Sequence, residues 1–471
     1  MSSSRPAQVA AAVQPDGLPV PRRYWAIAAI ILAITMSVLD STIVNVALPS
    51  LAHDFRASDA ASIWVINAYQ IAILVAVLPL ASLGEIVGYR RVSQCGLAVF
   101  TIASLACALA PTLTALSIAR VVQGLGAAGI MSVNSALVRF TYPHRLLGRA
   151  IGINAFAVAI AAATGPTIAS AILAVTQWRW LFAVNVPIGL FTIIIAVFAL
   201  PETKRSSRRL NRVGVVLQAG AFALLLGGLQ SFAHDATTWL GIAEIAAGCV
   251  LGVLLVRHEI ARDAPLIPFD LLRLRLFSLS VLTSICSFMA QTTGLVALPF
   301  AIQHIGHSAA QTGLLMTPWP VGVAVAAPLA GHLADRYPAG ILGSLGLLAM
   351  ATGLFLLAVF PPNGTSIDLM WRMALCGLGF GFFQSPNNRT LLASAPYART
   401  GAAGGMLATA RLLGQTLGAA GVAILFRAYA QRGSSLALMI AAAIALAAAV
   451  VSVSRLAGNP DGQSAWANRS E

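Results

Sequence analysis

This chain has little charge. Of its 471 residues only 9% are Asp, Glu, Lys or Arg, against about 25% in a soluble globular protein, so a water-soluble fold is excluded. Lysine is nearly missing: Lys204 stands alone, within Glu202-Thr203-Lys204-Arg205. A Walker A loop needs Gly-Lys followed by Ser or Thr, so ATP hydrolysis by that route is excluded as well. No HExxH, GxSxG or GxGD occurs, and His258-Glu259-Ile260-Ala261-Arg262 begins like the first without its second histidine. An enzyme is therefore not expected. Cysteine is sparse and odd in number: Cys95, Cys107, Cys249, Cys286 and Cys376 sit in apolar stretches with no CxxC spacing, which argues for small buried side chains rather than disulfides or a metal site. His304 and His307 have i, i+3 spacing but no third ligand nearby, so no metal and no cofactor is expected.

What is abundant is apolar: 58% of the residues, with a mean hydropathy of +0.84. A helix crosses a hydrocarbon core with about 20 such residues, and fourteen runs qualify, at 25–46, 62–83, 92–110, 114–137, 149–173, 180–200, 213–232, 239–256, 276–302, 311–333, 340–360, 367–385, 402–426 and 434–454. Runs of this length suit helices, not barrel strands. The first 20 residues are rich in Ala, Pro and Ser and have no apolar segment, so no cleavable signal peptide is expected.

The formal net charge of +14 comes from short clusters between the runs, the pattern of positive-inside loops rather than of a nucleic-acid face. With the N-terminus inside, 22 of the 29 Lys and Arg fall on the cytoplasmic side. Only Arg56, Arg179, Arg427 and Arg432 lie opposite, and Arg120, Arg372 and Arg411 lie within spans. Both termini are thus expected in the cytoplasm of a cell with an inner membrane.

The chain also repeats itself at an offset of about 250 residues. Ala81-Ser82-Leu83-Gly84-Glu85 recurs as Gly331-His332-Leu333-Ala334-Asp335, Arg120 with Gly124 and Gly126 as Arg372 with Gly377 and Gly379, and Gly148, Gly152 and Gly165 as Gly401, Gly405 and Gly418. Spans 1–6 correspond to spans 9–14, which leaves an inserted pair. The expected fold is all-α and polytopic: a cytoplasmic, disordered N-terminus (1–23), an N-terminal six-helix bundle (24–200), two inserted helices (213–257), a pseudo-symmetric C-terminal six-helix bundle (276–455) and a cytoplasmic tail (456–471). Two such bundles facing each other across a central site suit a carrier of alternating access.

Asp40, in Leu39-Asp40-Ser41-Thr42-Ile43-Val44-Asn45, is the only carboxylate deep within a span of either bundle. Such a residue costs several kcal/mol unless paired or facing water, so its default reading is functional; the alternative is a structural carboxylate satisfied by hydroxyls. Ser37, Asp40, Ser41 and Asn45 share an arc of about 140° at 100° per residue. Arg120 in span 4 is expected at a similar depth and is the natural partner: a cation keeps a carboxylate ionised, and protonation frees the cation. Asn67, Gln70, Gln123 and Gln291 join Ser37, Ser41 and Asn45 as candidate cavity residues. Gly124 and Gly126 in span 4, Gly165-Pro166 in span 5, and Gly414 and Gly418 in span 13 are candidates for close packing or bending. Trp178 and Trp180 read as interfacial anchors, and Glu244 is expected near the outer interface.

The stretches at 39–49, 120–129 (Arg-Val-Val-Gln-Gly-Leu-Gly-Ala-Ala-Gly) and 178–189 (Trp-Arg-Trp-Leu-Phe-Ala-Val-Asn-Val-Pro-Ile-Gly) resemble the fourteen-helix drug:proton antiporters of the major facilitator superfamily, the EmrB/QacA-type subfamily. The resemblance covers roughly 24–455. It implies that proton coupling falls on Asp40 and Arg120, and that the loop between spans 2 and 3 acts in conformational switching through Glu85, Gly88, Arg90 and Arg91, with Asp335 and Arg336 in the second copy. Glu85 stands where the family has Asp and Ile86 where it has Arg, and the helix-5 GPxxGG is reduced to Gly165-Pro166-Thr167-Ile168-Ala169-Ser170. The function so implied is proton-driven export of hydrophobic or amphipathic, including cationic, small molecules, with multidrug efflux and antibiotic resistance as its setting. A dedicated exporter of one metabolite, antibiotic or siderophore is the alternative; a non-transporting sensor or scaffold fits the short loops poorly. The expected partners are substrate, protons and lipid, with no nucleic acid. A monomer is expected, and the residues leave a periplasmic adaptor open.

Overall fold

The computed structural model describes residues 17–143, 146–203, 211–231, 238–260, 269–334, 336–361, 364–395, 400–429 and 432–455, apart from the side chains at 147, 148, 151, 155, 159, 230, 238, 269, 400, 401 and 402. The outermost N-terminal residues, the tail beyond 455 and Asp335 lie outside that description.

The chain is helical throughout the described residues. The first six crossings are α1 (Arg22–Asp54), α2 (Asp59–Val87), α3 (Tyr89–Ala108), α4 (Leu113–Thr141), α5 (Leu147–Val175) and a pair, α6 (Arg179–Ala183) with α7 (Asn185–Ala199). Then come α8 (Arg212–Ser231), α9 (Thr238–Ile260) and the short α10 (Phe269–Leu272). The second bundle holds α11 (Arg275–His304), the pair α12 (Ala309–Met316) and α13 (Pro318–Leu333), α14 (Ala339–Ala358), α15 (Ser366–Ala393), α16 (Thr400–Ala428) and α17 (Gly433–Ser454). Thirteen of these crossings are long and apolar enough to span a membrane. The fourteenth, α15, has the length but carries Asp368, Arg372 and Arg389.

Two expected spans are broken where proline removes a backbone donor: Pro187 follows the break at Val184, and Pro318 and Pro320 follow the one at Thr317. By contrast α5 runs unbroken through Pro166, so Gly165-Pro166 does not end the helix. A Cβ at Gly165 would overlap the Thr42 hydroxyl, and the glycine serves the close approach of α5 to α1. Helix α1 continues to Asp54, well past the expected end at 46. Starts are capped by Ser58 and Thr112 in the first bundle and by Ser308 and Thr365 in the second, each hydroxyl accepting from an otherwise orphaned N–H.

The internal repeat is visible in the packing. A Cβ on Gly124 of α4 would meet the Tyr69 carbonyl of α2 at 2.5 Å, and one on Gly377 of α15 would overlap the Trp319 carbonyl of α13. Gly126 lies likewise against Phe100 of α3, and Gly379 against Met350 of α14. These glycines act in close helix packing, in equivalent places of two bundles. Apolar side chains such as Ile102, Phe198, Val216, Val253 and Val450 are exposed on the flanks, as in a protein whose solvent is lipid. Tyr24 and Trp25 are exposed at one end, Trp180, Trp239 and Trp371 at the other, forming two aromatic belts. Trp178 does not join them: it is buried against Phe55 and Phe182, and its indole donates to Asp54 Oδ2 at 3.0 Å.

Helix α1 begins and α17 ends at the same end of the molecule, the near end. In the far half one apolar core runs through both bundles, joining Leu48, Ile63 and Phe182 to Phe300, Met316 and Phe426. There Thr167 and Thr317 hydroxyls meet at 2.8 Å, and Ser170 donates to the Ala310 carbonyl. Toward the near end each bundle has a core of its own, around Ile30, Leu137 and Ile195 in one and around Phe277, Leu391 and Met406 in the other, and the two stay in touch along α2 and α16, where Leu412 joins Tyr69 and Ile73. The bundles thus share a core at the far end and part toward the near end on the side of α16 away from α2.

Candidate functional site

The far half of the first bundle contains an ion pair. Asp40 of α1 accepts a charge-assisted hydrogen bond from Arg120 Nη1 of α4. Its Oδ1 accepts from Gln123 Nε2 and Asn185 Nδ2, each at 2.9 Å. All three neighbours are donors, an arrangement that suits the ionised carboxylate. Arg120 is held in turn: Nε donates to the Val65 carbonyl at 3.1 Å, Nη1 also reaches Gln123 Oε1 at 2.7 Å, and the guanidinium carbon lies 4.0 Å from the Tyr69 ring centroid. Tyr69 donates to the Ser37 carbonyl at 3.0 Å, and Gln123 Nε2 also reaches Ser104 Oγ at 2.8 Å. Arg120 is fully buried and Asp40 nearly so, while Arg120 Nη2 has no partner. The network draws on α1, α2, α3, α4 and α7, so one proton on Asp40 bears on five helices.

The expected pairing of Asp40 with Arg120 is present. Gln123 belongs to that network rather than to a cavity wall. Of the other expected cavity residues, Ser37, Asn67 and Gln70 are buried, because their positions on α1 and α2 face packed helices rather than open space. Asn67 has neither side-chain polar atom paired, and Gln70 Oε1 and Asn45 Oδ1 are also unpartnered. Ser41, Asn45 and Gln291 are half-buried. Asn185 and Tyr69 were not anticipated: neither is charged, and only tertiary packing brings them to Asp40 and Arg120.

The loop between α2 and α3 binds its own bundle. Gly88 adopts φ +102°, a conformation glycine takes without strain. Arg90 pairs with Glu202 at 3.2 Å and donates to the Val197 carbonyl, and Tyr89 N donates to Thr203 Oγ1 at 3.1 Å. Glu85, Arg91 and Arg336 are exposed. In the inserted pair Glu244 accepts from Ser231 at 2.6 Å. Buried Glu259 accepts from Asn211 at 2.6 Å. His304 lies 3.8 Å from Asp59 across the far end.

The second bundle repeats the helices but not the pair. Arg372, the counterpart of Arg120, bonds Asp368 one turn back on its own helix, at 2.7 and 3.2 Å, and the Leu356 carbonyl. A different cation is buried instead. Arg455, expected in a cytoplasmic segment, is only 5% exposed and donates to Asn387 Oδ1 at 2.6 Å and Ser280 Oγ at 3.2 Å. It stands one residue past the apolar run, and the hydroxyls and amide of α11, α15 and α17 draw it in.

Known proteins resemble this chain over most of its length. A model of the Major Facilitator Superfamily matches residues 30–419 and 280–467. The "Uncharacterized transporter YebQ" of Escherichia coli (strain K12) is 50% identical over 94% of this chain and 98% of its own length. The "Multidrug resistance protein Stp" of Mycobacterium tuberculosis is 32% identical over 82% of this chain and 73% of its own. Among solved structures, a D-xylose-proton symporter superposes with a TM-score of 0.66 and 16% identity, over 91% of this chain and 97% of that one; at that identity the likeness concerns the fold.

Proposed function

This chain belongs to the major facilitator superfamily, a multi-pass membrane transporter and not an enzyme, and we propose that it is a proton-coupled exporter of hydrophobic or amphipathic small molecules. The observation that carries this reading is the buried Asp40–Arg120 pair. We place the protein in the inner membrane with the near end, and so both termini, in the cytoplasm; the Lys and Arg distribution supports that orientation. It works as a monomer, with no cofactor, on the proton gradient.

In this orientation the core shared by both bundles lies on the outer side and their separate cores on the cytoplasmic side, which supports reading this as the inward-facing state. Asp40 is met only by donors, an arrangement that favours its ionised form, and the near half is the side from which cargo enters. When the bundles rock the other way, an external proton reaches Asp40. Neutralising the carboxylate weakens its hold on Arg120, Gln123 and Asn185 together, because each of those bonds is charge-assisted. The helices they tie, α1, α4 and α7, are then free to change their relative packing, and the cycle returns inward to release the proton. A carboxylate met by opposite charge in a water-excluded site is thereby the element that both proton and conformation bias.

The test is made in everted vesicles energised to an acidic lumen. Adding a transported amphiphile should alkalinise the lumen of vesicles carrying this protein and leave control vesicles unchanged. Uptake that proceeds equally with the gradient collapsed would remove the coupling.

A further inference from the structure

The near-end half of α16 has a side of its own toward the space between the bundles. At about 100° per residue, Gly404, Leu407, Ala408, Arg411 and Gln415 fall on one stripe, and all are partly exposed. One flank of the stripe packs on α11, where a Cβ on Gly414 would overlap the Ile285 carbonyl and one on Gly418 would meet the Met289 carbonyl at 2.6 Å. The other flank packs on the first bundle's α2, with Gly405 facing Leu78 at 3.4 Å and Leu412 in one core with Tyr69 and Ile73. Between those flanks lies the parted near half, and nothing comes within 4 Å of where a Cβ on Gly404 would be.

Arg411 stands on this stripe about 16 Å along α16 from Thr400, at membrane depth. Arg120, Arg372 and Arg455 each have acceptors. Arg411 has none among the described residues: its Nε is buried without a partner, and no carboxylate or ring meets its guanidinium. A cation at this depth is paired or faces water; no described residue supplies Arg411 with a counter-charge, and its partly exposed side leaves it to whatever enters between the bundles. We infer that Arg411 recognises an oxyanion on the cargo, so that the molecule carried is an amphipathic anion, an apolar body bearing a sulfonate, carboxylate or similar group. The guanidinium fork fits two oxygens of such a group, and Gln415, one turn further on, adds an amide. This narrows the transport reading and rests on it.

The test uses the full chain in phosphatidylcholine nanodiscs, titrated with 8-anilinonaphthalene-1-sulfonate and N-phenyl-1-naphthylamine, which share a frame and differ by the sulfonate. Arg411→Gln should weaken the sulfonate at least about tenfold, the scale of a charge-assisted bond, and Arg411→Lys should weaken it less. The neutral amine should bind all three proteins alike, which also reports an intact fold. Equal sulfonate affinity in wild type and Arg411→Gln overturns the inference, as does a parallel loss of both dyes in both variants. Displacement of the sulfonate by phosphatidylglycerol also overturns it, by assigning Arg411 to a lipid phosphate. Arg411-dependent binding without proton-coupled flux leaves this inference standing and removes the transport reading. Coupled flux of the neutral amine with no Arg411 effect on the sulfonate does the reverse.

Discussion

The two six-helix bundles repeat the same close packing at Gly124 and Gly377 but differ in where they keep their charge. In the first, the arginine of the fourth crossing reaches a carboxylate on another helix, Asp40. In the second, the equivalent Arg372 is satisfied by Asp368 four residues earlier on α15; Arg455, at the near end, is buried among an amide and hydroxyls, and Arg411, at membrane depth, has its Nε buried without a partner. An ion pair between helices responds to their relative movement; a pair within one turn does not. The first bundle thus holds the pair that a proton would disturb under the proposed function, and among its described residues the second offers buried positive charge with no carboxylate on another helix to meet it.

This contrast can be broken by matched substitutions. Arg120→Leu leaves the Asp40 carboxylate buried and uncompensated, and should cost about 3–5 kcal/mol of stability, read as a large fall in the thermal unfolding midpoint by tryptophan fluorescence in detergent. Asn185→Leu removes one donor to the same carboxylate and should cost about 1.5–3 kcal/mol, with proton-coupled uptake reduced in the same vesicles. Gly124→Ala and Gly377→Ala force a methyl group against equivalent backbone carbonyls, and each should cost about 1–3 kcal/mol; similar losses in the two would support the shared packing, and a one-sided loss would break it. Arg372→Leu should cost least, under about 1 kcal/mol, as a partly exposed pair one turn apart on a helix, and should leave coupling unchanged. If Arg372→Leu proved as costly as Arg120→Leu, the two bundles would not differ in the way described.

The fold was largely legible in the sequence because apolar length, the placement of arginine and the internal repeat all state it directly. The core of the site was legible for the same reason: a carboxylate and a guanidinium inside apolar runs stand out, and Asp40 and Arg120 do meet. What escaped was whatever depends on neighbours in space. Gln123 and Asn185 are ordinary amides in the sequence, and only the approach of α4 and α7 to α1 turns them toward Asp40. Trp178 looked like an interfacial anchor because it stands at a span end beside Trp180, yet the extension of α1 to Asp54 covers it and supplies its acceptor. Arg455 reads as one of the flanking positive charges because it lies one residue beyond α17, and three polar side chains from three helices bury it.

Proton-coupled uptake by Asp40→Asn tests the central claim most directly, since the amide keeps the size of the side chain and loses its titration. In everted vesicles the variant should still bind amphiphile and exchange it down its own gradient, while substrate-induced alkalinisation of the lumen disappears. Alkalinisation by Asp40→Asn at the wild-type rate and proton-to-cargo ratio would contradict the account, and the machinery of coupling would then have to lie elsewhere in the chain.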